Sequence, residues 1–130
     1  MNMRIEDFEG AYEASDISEL ETVLQKRYGP GVNGFWLSHD NKKHPSVSLL
    51  VKGDLACLHY FPTDSHPGFL SVGSVQELNP DEATIFFLDN PDQEQEMPNS
   101  SVIHFSKAVQ VAKDFFASEE LPRSIEWLEL

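Results

Sequence analysis

The stretch SVSLLVKGDLACLHYF, residues Ser46–Phe61, decides how the rest of the chain can fold. Every second residue from Val47 to Val51 is apolar, which is the period of a strand with one buried face. A Lys-Gly-Asp connection centred on Gly53 follows, and then a second apolar run, Leu55–Phe61. Two such runs around a tight turn predict an antiparallel hairpin.

Further strand candidates lie on both sides of this hairpin. They are Gly34–His39 before it, and Phe69–Val72, Ala83–Leu88 and Gln93–Met97 after it. Turns rich in Asp, Asn and Pro separate several of them, so the hairpin extends into an antiparallel meander. The last candidate is polar, and its acidic side chains suit a sheet edge that must not aggregate.

Two helices are predicted around these strands. Apolar residues recur at helical spacing from Ile17 to Tyr28, Asp16 can cap this helix, and Gly29-Pro30 ends it. Ser106 can cap a second helix. The apolar stripe of that helix comprises Ala108, Val109, Ala112, Phe115 and Phe116.

A short strand, Ile125–Leu130, ends the sequence. Because alternate residues of a strand share a face, we expect Ile125 and Trp127 to pack beneath the second helix and Glu126 to point away. The whole pattern predicts one α+β domain covering residues 1–130. It has an antiparallel sheet of about six strands, with two helices packed on one face.

The charge map restricts the partners of this domain. The chain has 22 acidic and 9 basic residues, a net charge of −13, and no Lys or Arg between Lys52 and Lys107. Nucleic acid and anionic membranes are poor partners, since binding them requires clustered basic residues. A basic protein is the better expectation, because long-range attraction would steer it to this surface.

One local concentration of acid is a candidate binding surface. Asp89, Asp92, Glu94 and Glu96 lie around one turn and one predicted edge strand. Glu126, beside Trp127, is a further candidate, because aromatic residues next to acids resemble the anchors of protein interfaces. We predict that these five residues contact a partner protein.

The residue types that usually carry catalysis occur here without a recognisable motif. His39, Asp40, His44 and His66 lack the spacing of a known metal site, and we expect the three histidines to be solvated in loops. Cys57 lies in an apolar strand, which predicts a buried thiol. We therefore expect no cofactor, no metal and no catalytic residue.

Several short blocks of this sequence are similar, in the right order, to the first-numbered immunity-protein family of bacterial polymorphic toxin systems. The blocks are Lys52–Pro62, His66–Phe69, Phe86–Pro91 and Pro122–Leu130. The resemblance spans residues 34–130, while residues 1–31 match only in layout, as a variable first helix.

The resemblance implies a protein that is encoded beside a toxin and neutralises it by binding. Partners in this family are often deaminases that act on nucleic acid, and such toxins often have basic surfaces. The family has no catalytic residues to carry over, so the resemblance implies a binding protein and not an enzyme. The polar, acidic start of the chain is unlike a signal peptide and predicts a cytoplasmic location.

Two other functions compete with this expectation. One is a small metal-dependent or hydrolytic enzyme that uses His39, Asp40, His44 or His66. The other is a general acidic adaptor that binds proteins but has no toxin partner.

Overall fold

The computed structural model of the chain describes residues 2–40 and 42–130. The stretch 40–43, whose Asp and Asn residues favour a turn between the first two predicted strands, lies partly outside the described residues. Within them the chain forms ten strands and two α-helices. In chain order these are β1 (Met3–Glu6), β2 (Ala11–Ala14), α1 (Ile17–Leu24), β3 (Val32–His39), β4 (Ser46–Lys52), β5 (Leu55–Phe61), β6 (Phe69–Val72), β7 (Ala83–Phe87), β8 (Glu94–Pro98), β9 (Val102–His104), α2 (Phe105–Ala117) and β10 (Glu126–Glu129). Neither helix is long and apolar enough to cross a membrane.

Eight strands form one antiparallel sheet in the order β10-β6-β5-β4-β3-β1-β2, and β9 pairs with β5 beside β6. The predicted hairpin, β4 and β5, lies at its centre, with Leu49 opposite Leu58. The strands β7 and β8 pair only with each other and form a separate two-stranded ribbon.

Both helices pack on one face of the sheet, as predicted. Their buried residues include Leu20 and Leu24 of α1 and Phe115 of α2, which meet the inward side chains of the central strands. An ion pair between Lys113 and Glu21, with nitrogen and oxygen 2.6 Å apart, joins the two helices. Burial of this large apolar face is the main source of stability in such a domain.

The β7–β8 ribbon covers part of the opposite face. Phe86 of the ribbon is fully buried against Leu50 and Cys57 of the sheet, together with Val102 of β9. The domain therefore has three layers: helices, sheet and ribbon. The sequence correctly predicted both ribbon strands, but it placed them in the meander.

The α+β class is confirmed, but the expectation of about six strands was too low. The strands β1, β2 and β9 were missed. Each has only three or four residues, and β1 and β2 read MRIE and AYEA, with acidic residues inside the pattern. Stretches of three or four residues are at the lower limit at which a period of two indicates a strand.

The helix ends also differ from the prediction. Asp16 caps α1 as expected and accepts a hydrogen bond from the backbone of Glu19 at 2.8 Å. That helix, however, ends at Leu24, and Tyr28 instead forms a β-bridge with Val32. In α2, His104 and not Ser106 occupies the N-cap position, because β9 runs directly into the helix.

Candidate functional site

The predicted acidic residues lie on a single projecting element. The ribbon of β7 and β8 described above, together with its connecting turn, spans residues 83–98, and from here on we call it the acidic hairpin. The turn is closed by a hydrogen bond of 2.9 Å from the Leu88 amide to the Gln93 carbonyl, and the Asn90 side chain accepts one of 2.8 Å from the Asp92 amide. All four predicted acids of the acidic hairpin, Asp89, Asp92, Glu94 and Glu96, are exposed.

The outer face of the acidic hairpin combines acidic and apolar side chains. Ile85 is opposite Glu96 and Phe87 is opposite Glu94 across the strand pair. Ile85 is 38% exposed. The alternate residues, such as Phe86, turn inward to the sheet, as the period of two requires. An apolar centre with acids around it is the composition of a protein-binding surface.

Among the residues that the structure describes, the acids of the acidic hairpin form no ion pair. The ion pairs of Lys and Arg side chains in residues 2–40 and 42–130 lie outside the acidic hairpin. They join Arg4 to Glu6, Lys42 to Glu119 and Lys113 to Glu21. The four acids of the acidic hairpin take part in none of these. Their charge is therefore not neutralised within the described part of the chain, and it remains available to a partner.

Glu126 is not part of this cluster. It is exposed on β10, at the edge of the sheet, and lines a separate groove of about 580 Å³ together with Lys107 and Arg123. The structure thus brings together four of the five predicted residues and places the fifth on another element. As expected, Trp127 packs against the core on the opposite side of β10 from Glu126.

A feature that sequence reasoning missed lies beside the acidic hairpin, on the same face of the sheet. Strand register places one residue from each of five neighbouring strands in a row across this face. The row is Trp36, Ser48, His59, Leu70 and Leu128. Trp36 is 36% and Leu128 is 55% exposed.

Three aromatic rings stack within this region. Phe61 lies between the other two, with its ring centroid 4.1 Å from that of His59 and 5.8 Å from that of Trp36. The rings and the inward face of the acidic hairpin enclose an apolar groove of about 280 Å³, which we call the aromatic groove. Its hairpin wall is formed by Leu88, Gln95 and Met97.

His59 contributes a ring to the aromatic groove, and a contact with the backbone holds that ring in place. Its Nε2 lies 3.0 Å from the carbonyl oxygen of Pro67. Burial lowers the pKa of His59, while the contact with Pro67 opposes this change. Below neutral pH the ring therefore stays uncharged over a wider range than a free histidine.

The other candidate chemical groups do not converge. Cys57 is buried beneath the acidic hairpin, and burial raises the pKa of its thiol, which keeps it protonated. His66 lies in the β5–β6 loop and contacts Glu129 at 2.9 Å. Among the described residues, no group of three His, Cys, Asp or Glu side chains is arranged to hold a metal ion.

One histidine prediction was wrong. His39 is buried at the end of β3 and not solvated in a loop, because its ring packs on Phe115 of α2 at a centroid distance of 4.6 Å. Its Nε2 lies 3.4 Å from the carbonyl oxygen of Phe116. His39 is therefore part of the helix–sheet interface.

Gly34 allows the acidic hairpin to lie close to the sheet. A Cβ atom at this position would be 2.5 Å from the carbonyl oxygen of Leu88 and 3.0 Å from the Phe8 ring. We expect Gly34→Ala to push the hairpin outward and to lower the free energy of unfolding by about 1–3 kcal/mol, as overpacking usually does. Chemical denaturation measures the change.

Gly10→Ala is the matched control for this substitution. A Cβ at Gly10 would meet only the Tyr12 ring, at 3.8 Å or more. Equal stability of the two variants would mean that the close approach of the hairpin at Gly34 does not restrict this position.

The fold and this surface define a small α+β domain with the features of a protein-binding module. The family model described as Immunity protein Imm1 matches residues 9–129. The chain therefore belongs to the Imm1 immunity protein family, and it is an immunity protein that neutralises a toxin. The match extends beyond the region in which the sequence blocks were recognised.

A curated relative supports this assignment. The double-stranded DNA deaminase immunity protein of Burkholderia cenocepacia (strain H111) is 25% identical over 128 residues. The aligned residues cover 98% of this chain and 100% of that protein.

Proposed function

We propose that this immunity protein binds a cognate deaminase toxin domain through the acidic hairpin and blocks it by occlusion in the cytoplasm. The observation that carries the proposal is the unneutralised charge of Asp89, Asp92, Glu94 and Glu96 on one projecting element. The name of the relative, which refers to a double-stranded DNA deaminase, supports the choice of toxin class.

The charge of the protein fits a toxin of this class. A deaminase that acts on DNA must bind a polyanion, which requires basic residues near its active site. A protein with a net charge of −13 presents the same sign of charge as the nucleic acid. Its acidic hairpin can therefore occupy the basic surface and exclude the substrate. Nucleic acid itself and anionic membranes are repelled by this charge.

The protein acts by binding and carries out no reaction in this proposal. Support comes from Cys57, whose protonated thiol is buried, and from the separation of His39, at the end of β3, from His66, in the β5–β6 loop. A metal-dependent or hydrolytic enzyme would need such groups to converge on one substrate position. A general acidic adaptor would need no particular toxin, and the family membership disfavours it.

Co-purification tests the proposal. The toxin domain encoded beside this protein, produced as a catalytically inactive variant, should elute with it as one complex in gel filtration. Cells that express the active toxin should survive only when this protein is also present. Separate elution of the two proteins, or death of the cells despite its presence, would contradict the proposal.

Salt should slow the formation of this complex. Exposed charges are screened over about 8 Å at physiological ionic strength, so the attraction between the acidic hairpin and a basic toxin weakens as salt rises. We expect the association rate constant to fall at least tenfold between low and high salt, with little change in the dissociation rate constant. Stopped-flow fluorescence measures both, and an unchanged association rate would argue against electrostatic steering.

A further inference from the structure

We propose that the aromatic groove receives one large apolar side chain from a basic segment of the toxin and thereby sets how slowly the complex dissociates. This inference rests on the proposed function. It assigns a second role to the same surface, because the acidic hairpin would govern association and the groove beside it would govern dissociation.

The lining of the aromatic groove determines the kind of side chain it can accept. The described residues that line it carry no acidic or basic side chain except His59, and most of them are aromatic, aliphatic or sulfur-containing. A charged group placed there would lose its hydration without gaining an ionic partner. An aromatic or long aliphatic side chain would gain contact with Trp36, Phe61 and Met97, and it would lose little favourable hydration.

The state of His59 agrees with an apolar occupant. Burial lowers its pKa, and its Nε2 is already engaged by the Pro67 carbonyl at 3.0 Å. At neutral pH the ring is thus an uncharged aromatic wall. Its stacking on Phe61 fixes the orientation of both rings, so the groove is preformed before the partner arrives.

Charge complementarity indicates that the inserted side chain lies on a basic segment. Glu6 lies beside Trp36 in the strand register, but it is already paired with Arg4 at 2.7 Å. The unneutralised charge next to the groove therefore belongs to the acidic hairpin, whose inward residues form one groove wall while Glu94 and Glu96 point outward. A partner segment that lies along the acidic hairpin would therefore contact its acidic residues and, next to them, the aromatic groove.

The aromatic groove has the position expected of a pocket that receives an anchoring side chain in a protein interface. Binding energy in protein interfaces is concentrated in a few well-packed pockets surrounded by polar contacts that exclude water. Trp36 is the most exposed of the three stacked rings, and tryptophan is enriched among such anchors. The row continues through Leu70 to Leu128, which gives the neighbouring partner residues an apolar surface.

Two variants test the role of the groove in different ways. Trp36→Ala removes one wall, whereas Gln95→Trp keeps every wall and fills the groove from the hairpin side. Val72→Ala is the control, because Val72 is also 36% exposed but lines the separate groove beside Glu126. Thermal unfolding of each variant identifies any that do not fold, and Gln95→Trp keeps the test decisive if Trp36→Ala fails.

Surface plasmon resonance with the inactive toxin domain gives the rate constants. We expect both groove variants to dissociate about 30-fold faster, with association rates within about twofold of the parent, while Val72→Ala behaves as the parent. Folded variants whose dissociation rates stay within twofold of the parent would overturn the role of the groove. If the parent itself does not bind the toxin, the proposed function fails instead, so the two failures are distinguishable.

Discussion

Replacing Asp89, Asp92, Glu94 and Glu96 together by lysine should reduce the association rate constant for the toxin about 100-fold at low salt. Electrostatic steering raises association rates by about 10- to 1,000-fold, and this variant inverts the charge that provides it. The four exchanges move the net charge by eight units, from −13 to −5. Stability should change little, because all four side chains are exposed.

A second quadruple variant separates the acidic hairpin from the total charge. Glu9, Asp54, Asp64 and Glu120 are also exposed and lie on other elements. Their replacement by lysine gives the same net charge of −5 while the four acids of the acidic hairpin stay unchanged. We expect a much smaller reduction in the association rate for this control. Equal reductions in the two variants would mean that total charge matters and that the hairpin is not the contact surface.

Replacing Trp127 by alanine should lower the free energy of unfolding by about 3 kcal/mol. Its ring packs against the helix-side core, 6.3 Å from the ring of Tyr60, and its Nε1 donates a hydrogen bond of 2.6 Å to the Pro122 carbonyl. The side chain therefore fixes β10 and the connection from α2. A loss of this size is a large part of the stability of a small domain.

The neighbouring residue provides the control for this prediction. Leu128 is 55% exposed on the other face of β10, and Leu128→Ala should change the stability by only about 0.5 kcal/mol. Calorimetry compares the two variants. If Trp127→Ala unfolds at the same temperature as the parent yet no longer binds the toxin, Trp127 is an interface residue and not a structural one.

The centre of the fold was predictable because local pattern and tertiary structure agree there. The strands β4 and β5 alternate or run apolar over seven residues each, and a turn with Gly53 joins them. The strand β1 was not predictable in the same way. Its Met3 and Ile5 are buried in the core cluster that also contains residues of both helices and the central strands, so tertiary packing and not propensity determines this strand.

The same distinction applies to the candidate site, of which one part was predictable from the sequence and the other was not. The acids of the acidic hairpin are close in sequence, so their clustering was visible in the charge map. The aromatic groove was not visible, because Trp36, His59 and Leu70 come together only through the register of four strands. Its one local signal, the alternation of His59 and Phe61 with buried residues of β5, does not reveal which side chain lies opposite.

Titration of the toxin's deaminase activity with this protein tests the central claim most directly. If the protein blocks the toxin by occlusion, activity on double-stranded DNA should fall in proportion to the protein added and reach zero near an equimolar ratio. The quadruple lysine variant of the acidic hairpin should need a large excess at the same concentrations. Undiminished activity of a toxin shown by gel filtration to be fully in complex would contradict occlusion.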